Sequence, residues 1–140
     1  MSETKAKLEF RVSARRVDAH GSVAHCKDAE IVLDTDMAGR PDAFNPAELL
    51  LAALSACMIK GIERVTPILK FQLRRVEVRI HGVRRDVPPR MESIDYEILV
   101  DTDEDDRRIA LLHDNERKYG TVFNTVAPGT ALSGSMRRAG

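Results

Sequence analysis

The segment Asn45 to Val65, NPAELLLAALSACMIKGIERV, constrains the rest of the chain. Asn45 is a strong N-cap residue, and Pro46 suits the first helical position, where no amide donor is needed. Glu48 puts a carboxylate in the first turn, beside the positive end of the helix dipole. From Leu49 to Ile59 only Ser55 is polar, a run well short of the ~20 apolar residues that cross a bilayer. The segment is therefore expected to be a buried core helix. A helix apolar on nearly all sides must be covered on nearly all sides, which in a short chain means a sheet and a second subunit. Cys57 lies in its middle.

A chain of 140 residues has room for one domain, residues 1–140, with a real core. Lys plus Arg and Asp plus Glu each total 22, so the electrostatics favour neither nucleic acid nor an anionic membrane as partner. Aromatic residues make up 4% and Trp is absent, a poor supply for base or sugar stacking. The opening MSETKAKLEF has no apolar stretch of the kind that directs export. The expected location is the cytoplasm, where two cysteines stay as reduced thiols.

Alternation of Leu8, Phe10, Val12 and Ala14 with polar residues predicts a half-buried strand over Lys7 to Ala14. Asp18 to Ser22 reads as a turn. Val23 to Lys27 and Ile31 to Leu33 follow as short strands, and Asp34 to Phe44 as a loop rich in Asp, Gly and Pro. After the helix, Thr66-Pro67 is expected to end the helical run. Val76, Val78 and Ile80 mark a strand over Arg74 to Gly82, and Val83 to Arg90 a long connector. Ile94, Tyr96, Ile98 and Val100 mark the returning strand. Thr102 is expected to cap a second helix with an acidic first turn, Asp103 to Asp106, and a basic last turn at Arg117 and Lys118. Gly120 would stop it, before a last strand over Thr130 to Met136. The order βββ-α-ββ-α-β gives an α+β fold of antiparallel hairpins with helices on one face.

The helix NPAELLLAALSAC and the later KYGTVFNTVAPG resemble the two hallmark segments of the osmotically inducible protein C / organic hydroperoxide resistance (OsmC/Ohr) family. The resemblance implies antiparallel sheets wrapped around a long central helix in an intertwined homodimer. It further implies two sites at the interface, where one cysteine attacks an organic hydroperoxide and a second resolves it. Cys57 stands at the attacking position. The second motif normally reads tyrosine, cysteine, proline, valine. Here it is Tyr119, Gly120, Thr121, Val122, so the resolving cysteine is missing. The glutamate that usually follows Asn-Pro is replaced by Ala47, and Glu48 comes one residue later. At about 100° per residue it points ~180° around the helix from Cys57.

Peroxide chemistry needs the thiolate, and Cys57 lies too far inside the helix for its N-terminus to help, so a nearby cation is required. In the family an arginine of the N-terminal meander serves. Arg15 and Arg16 lead here, ahead of Arg11, and the candidate catalytic set is Cys57, Arg15, Arg16 and Glu48. Cys26 is either a spare thiol or a substitute resolving cysteine. His20, His25 and Cys26 are scattered by strand spacing over different faces, and Asp103 to Asp106 suit a helix start, so neither metal nor cofactor is expected. His81 and His113 have charged neighbours and read as surface residues. Two functions remain open. One is a thiol peroxidase, a homodimer in which Cys57 reduces an apolar hydroperoxide and an external thiol recycles it. The other is a binding or structural dimer that kept the apolar pocket after losing redox chemistry.

Overall fold

The computed structural model describes residues 7–140. Contacts group into two compact units, one ending at Leu49 and one spanning Leu50–Gly140. In the first, β1 (Ser13–Asp18), β2 (Gly21–Cys26) and β3 (Ala29–Leu33) form an antiparallel meander in that order. The His20 amide donates to Asp18 Oδ1 at 2.8 Å in the first turn. β2, paired on both sides, buries Gly21 to Ala24. The expected first strand is displaced: it begins at Ser13 rather than Lys7, and Leu8, Phe10 and Val12 are 85%, 77% and 67% exposed. Alternation makes a strand only where a ladder partner exists. Pairing starts at Ser13↔His25 and β2 ends at Cys26, opposite Val12, so the residues before Val12 have no β2 backbone to bond to. In the following loop the buried Asp34 carboxylate accepts the amides of Asp36 at 3.1 Å and Arg40 at 3.0 Å.

Helix α1 (Pro46–Leu69) starts in the first unit and continues in the second. Asn45 caps it as expected, reciprocally: the Glu48 amide donates to Asn45 Oδ1 at 2.8 Å and the Asn45 amide to Glu48 Oε1 at 3.0 Å, a capping box. Its far end differs from expectation, because the helix runs through Pro67. Proline here removes only the donor to the Glu63 carbonyl, which the Thr66 hydroxyl approaches instead at 3.5 Å. The true stop is Lys70, left-handed at φ 52°, with Lys70 N–H donating to Pro67 O and Phe71 N–H to Thr66 O. That 5→2 and 6→1 pair is a Schellman motif, and Phe71 and Val65 both enter the core there.

In the second unit β4 (Arg75–Asp86) pairs antiparallel with β5 (Pro89–Asp101), and β6 (Ala131–Arg138) lies on the other side of β5. Two expectations are corrected. The long connector is a tight link at Val87 and Pro88, since pairing continues past a register shift at Val83/Arg84 to Asp86↔Pro89. β6 runs parallel to β5, from Ser93↔Ala131 to Val100↔Arg138, because the helical crossover returns the chain to the starting end of that strand. The crossover consists of α2 (Asp106–Glu116), a 3-10 turn (Arg117–Tyr119) and α3 (Thr121–Val126). Asp105 rather than Thr102 caps α2, accepting the Arg108 amide at 2.9 Å. Thr102 is buried, its hydroxyl donating to Gln72 O and accepting the Glu104 amide. Helix α3 had no counterpart among the predicted elements; six residues leave too little periodicity to read.

The core of this unit joins Leu54, Met58, Ile62 and Val65 of α1 to alternate residues Ile94, Tyr96, Ile98 and Val100 of β5, closed by Ile109 and Leu112 of α2. Gly134 lets β6 pass the Tyr96 ring, since a Cβ there would come within 2.5 Å of it. The architecture is α+β, as the sequence order predicts. Among the described residues no helix is long and apolar enough to cross a membrane.

Candidate active site

Cys57 is half-buried on α1, and Gly61, one turn later, lies on the same face. The segment that closes on this face runs from the end of α2 to the start of α3. A Cβ on Gly61 would meet the Glu116 carbonyl oxygen at 2.7 Å and Glu116 Oε2 at 3.1 Å. A Cβ on Gly120 would meet Cys57 Sγ at 2.9 Å and Phe123 Cβ at 3.1 Å. Two glycines therefore allow the backbone of 116–120 to approach α1, with the Cys57 sulfur against one end and the Glu116 carboxyl at the other. Arg64, seven residues after Cys57, donates from Nη1 to the Tyr119 carbonyl at 3.2 Å and pins the same segment to α1.

Glu116 is 1% exposed, and its Oε1 has no hydrogen-bond partner among the described residues. Burial pushes its carboxyl up to about 7, against the opposing pull of Arg117. Beside it on α2, His113 Nε2 and the Tyr96 hydroxyl hydrogen-bond at 2.7 Å, their rings edge to face at 5.7 Å between centroids. Burial, with Arg117, pulls His113 down, and burial raises Tyr96, so both are neutral near neutrality. His113 is thus not the surface residue its charged neighbours suggest; it is half-buried against β5. Glu116 was missed by sequence reasoning. Its signal was positional: with Ile109 and Leu112 it completes an i, i+3, i+7 stripe that faces the core.

The other sequence candidates lie in the N-terminal unit. Arg15 and Arg16 are exposed on β1, opposite Val23 and Ser22 of β2. The Glu48 side chain is exposed and closes the capping box on Asn45. Cys26 is half-buried at the end of β2, next to His25, which pairs with Glu30 at 3.4 Å. Arg11 pairs with Glu9 at 3.3 Å. The C-terminal unit brings Cys57 against Gly120, and Gly61 of the same helix face against the buried Glu116.

A family model described as OsmC-like protein matches residues 39–133. No curated protein sequence matches the chain. Among solved structures, the OsmC-like protein of Mycoplasma pneumoniae superposes with a TM-score of 0.86 at 16% identity, over 96% of this chain and 100% of that one. An organic hydroperoxide resistance protein OsmC of Legionella pneumophila gives 0.75 at 18% identity, covering 94% and 98%. The organic hydroperoxide resistance protein OhrB of Bacillus subtilis gives 0.63 at 17% identity, covering 93% and 98%. At such identities the likeness is one of fold.

Proposed function

Because the chain belongs to the OsmC-like protein family, we propose that it is a thiol-dependent peroxidase that removes organic hydroperoxides in oxidative-stress defence, with Cys57 as the reacting group. The observation that supports this reading is that Cys57 Sγ packs against Gly120, the position that the resemblance assigns to the second cysteine. The Cys57 thiolate attacks the terminal oxygen of the hydroperoxide, the O–O bond breaks, and the alkoxide takes up a proton and leaves as the alcohol. Cys57 is left as a sulfenic acid. With Gly120 in the resolving position, an external thiol condenses with that acid, releasing water, and a second thiol frees Cys57 from the mixed disulfide. A small dithiol, which supplies both equivalents at once, is therefore the expected reductant. Arg15 or Arg16 is the proposed activating cation and Glu48 completes the proposed set. The working form is a cytoplasmic homodimer, a reading supported by the uncovered apolar side chains of Leu8, Phe10, Val12, Ile31 and Val32.

The test is consumption of cumene and tert-butyl hydroperoxide with excess dithiol. Activity in the wild type and its loss in Cys57→Ser are expected; equal rates would reject the reading. Gly120 and Ala47 favour a second reading, a dimer that binds apolar molecules without redox chemistry. The pH dependence of Cys57 alkylation separates the two, since a thiol that reacts rapidly below neutrality fits the enzyme and an inert one the binder.

A further inference from the structure

The buried carboxyl of Glu116 has no role in the scheme above, yet a side chain 1% exposed, with an oxygen unpartnered among the described residues, is expensive to keep. Its surroundings give it a place. Glu116 Oε2 lies 3.1 Å from where a Gly61 Cβ would be, and Cys57 is one turn before Gly61 on the same face, ~6 Å away between Cβ positions. The sulfur packs on Gly120, one helical turn beyond Glu116 in the facing segment. Thiol and carboxyl are thereby held against the same face of α1, one helical turn apart.

Resting on the peroxidase reading, we propose that Glu116 is the proton carrier of the Cys57 site. Its carboxylate takes the thiol proton of Cys57, and the resulting acid returns that proton to the alkoxide released when the thiolate sulfur breaks the O–O bond. The balance closes as thiol plus hydroperoxide giving sulfenic acid plus alcohol, with Glu116 ending in the state in which it began. The carrier must exchange its proton near neutrality, and burial has moved this carboxyl to about 7. The groups facing it leave it the exchangeable one. From β5 comes the neutral Tyr96 hydroxyl and from α2 the neutral His113, bonded to each other. From the 3-10 turn comes Arg117, paired with Asp114 at 3.0 Å, and from α1 comes Arg64, bonded to the Tyr119 carbonyl. Sequestering the proton on a buried acid also keeps the thiolate and the carboxylate from being charged together, a state that a poorly hydrated site disfavours.

The experiment compares wild type, Glu116→Gln and Glu116→Asp, with thermal unfolding as the check that each folds. Two readouts are taken from pH 5 to 9: kcat/KM for cumene hydroperoxide with excess dithiol, and the rate of Cys57 alkylation by iodoacetamide without peroxide. The proposal expects Glu116→Gln to lose roughly 100-fold in kcat/KM. It also expects the alkylation profile to change from two coupled steps to one, and Glu116→Asp to recover part of both. A folded Glu116→Gln with the wild-type rate and the wild-type alkylation profile overturns the proposal. A wild type inert to peroxide whose two-step alkylation profile collapses in Glu116→Gln would overturn the peroxidase reading while upholding proton exchange between Glu116 and Cys57.

Discussion

Restoring a thiol at position 120 tests the site geometry by itself. Gly120 has φ −78° and ψ 110°, a conformation any L-residue adopts, so Gly120→Cys carries no backbone penalty. Its Cβ would stand 2.9 Å from Cys57 Sγ. An S–S bond of about 2.04 Å and a C–S bond of about 1.8 Å place a disulfide's Cβ about 3.0 Å from the opposite sulfur, so this cross-distance already suits a bridge. In the reduced form the same 2.9 Å is a clash, and Phe123 Cβ at 3.1 Å adds to it. Reduced Gly120→Cys should be less stable than wild type by about 1–3 kcal/mol. Oxidation turns the Sγ contact into a bond, leaving only the Phe123 contact, and closes a loop of roughly 60 residues, worth about 4 kcal/mol in the chain-entropy account. Oxidised and reduced variant should therefore differ in Tm by about 10 °C or more. The assay is differential scanning fluorimetry with and without reductant, alongside intact mass under mild oxidation. A folded variant that keeps two free thiols after oxidation, with one Tm in both states, would refute the placement of position 120 against Cys57.

Four further outcomes follow from the same contacts. Gly61→Ala drives a Cβ to 2.7 Å from the Glu116 carbonyl and should cost about 1–3 kcal/mol in urea unfolding, with Glu116→Gln giving no relief because the clash is with backbone. Leu54→Ala empties a fully buried core position and should cost about 2–5 kcal/mol by the same assay. Asn45→Ala opens the capping box and should cost about 1 kcal/mol, read as a lower Tm with the fold retained. Glu116 also sets a pH trend: the folded chain keeps a proton up to about 7 that the unfolded chain releases near about 4.3. The native state binds more protons between those values, so this group makes stability fall as pH rises through the window, and urea titrations at several pH values should show a flatter profile in Glu116→Gln.

Much of this was legible in the residues. The N-terminus of α1 was, because Asn45, Pro46 and Glu48 act through local hydrogen bonds that need no tertiary partner. Strands β4 and β5 were, because one face is buried and the alternation is clean. What failed was what depends on a partner strand or on a single substituted bond. Leu8 and Phe10 alternate like a strand but lie beyond the end of β2, and Pro67 reads as a break although Thr66 answers the lost donor. The parallel course of β6 follows from how α2 and α3 carry the chain back, which no local pattern encodes. At the site, Cys57 and position 120 were legible through the family motifs. Glu116 was not, because a lone acid in a charged helix reads as solvated until burial is known.

The most direct measurement of the central claim is to mix the reduced protein with one equivalent of cumene hydroperoxide, trap with dimedone, and locate the adduct by peptide mass spectrometry. The account expects the adduct on Cys57, formed in step with peroxide loss, and Cys26 unmodified. Peroxide left unconsumed with no adduct on Cys57, or an adduct on Cys26 alone, would contradict it.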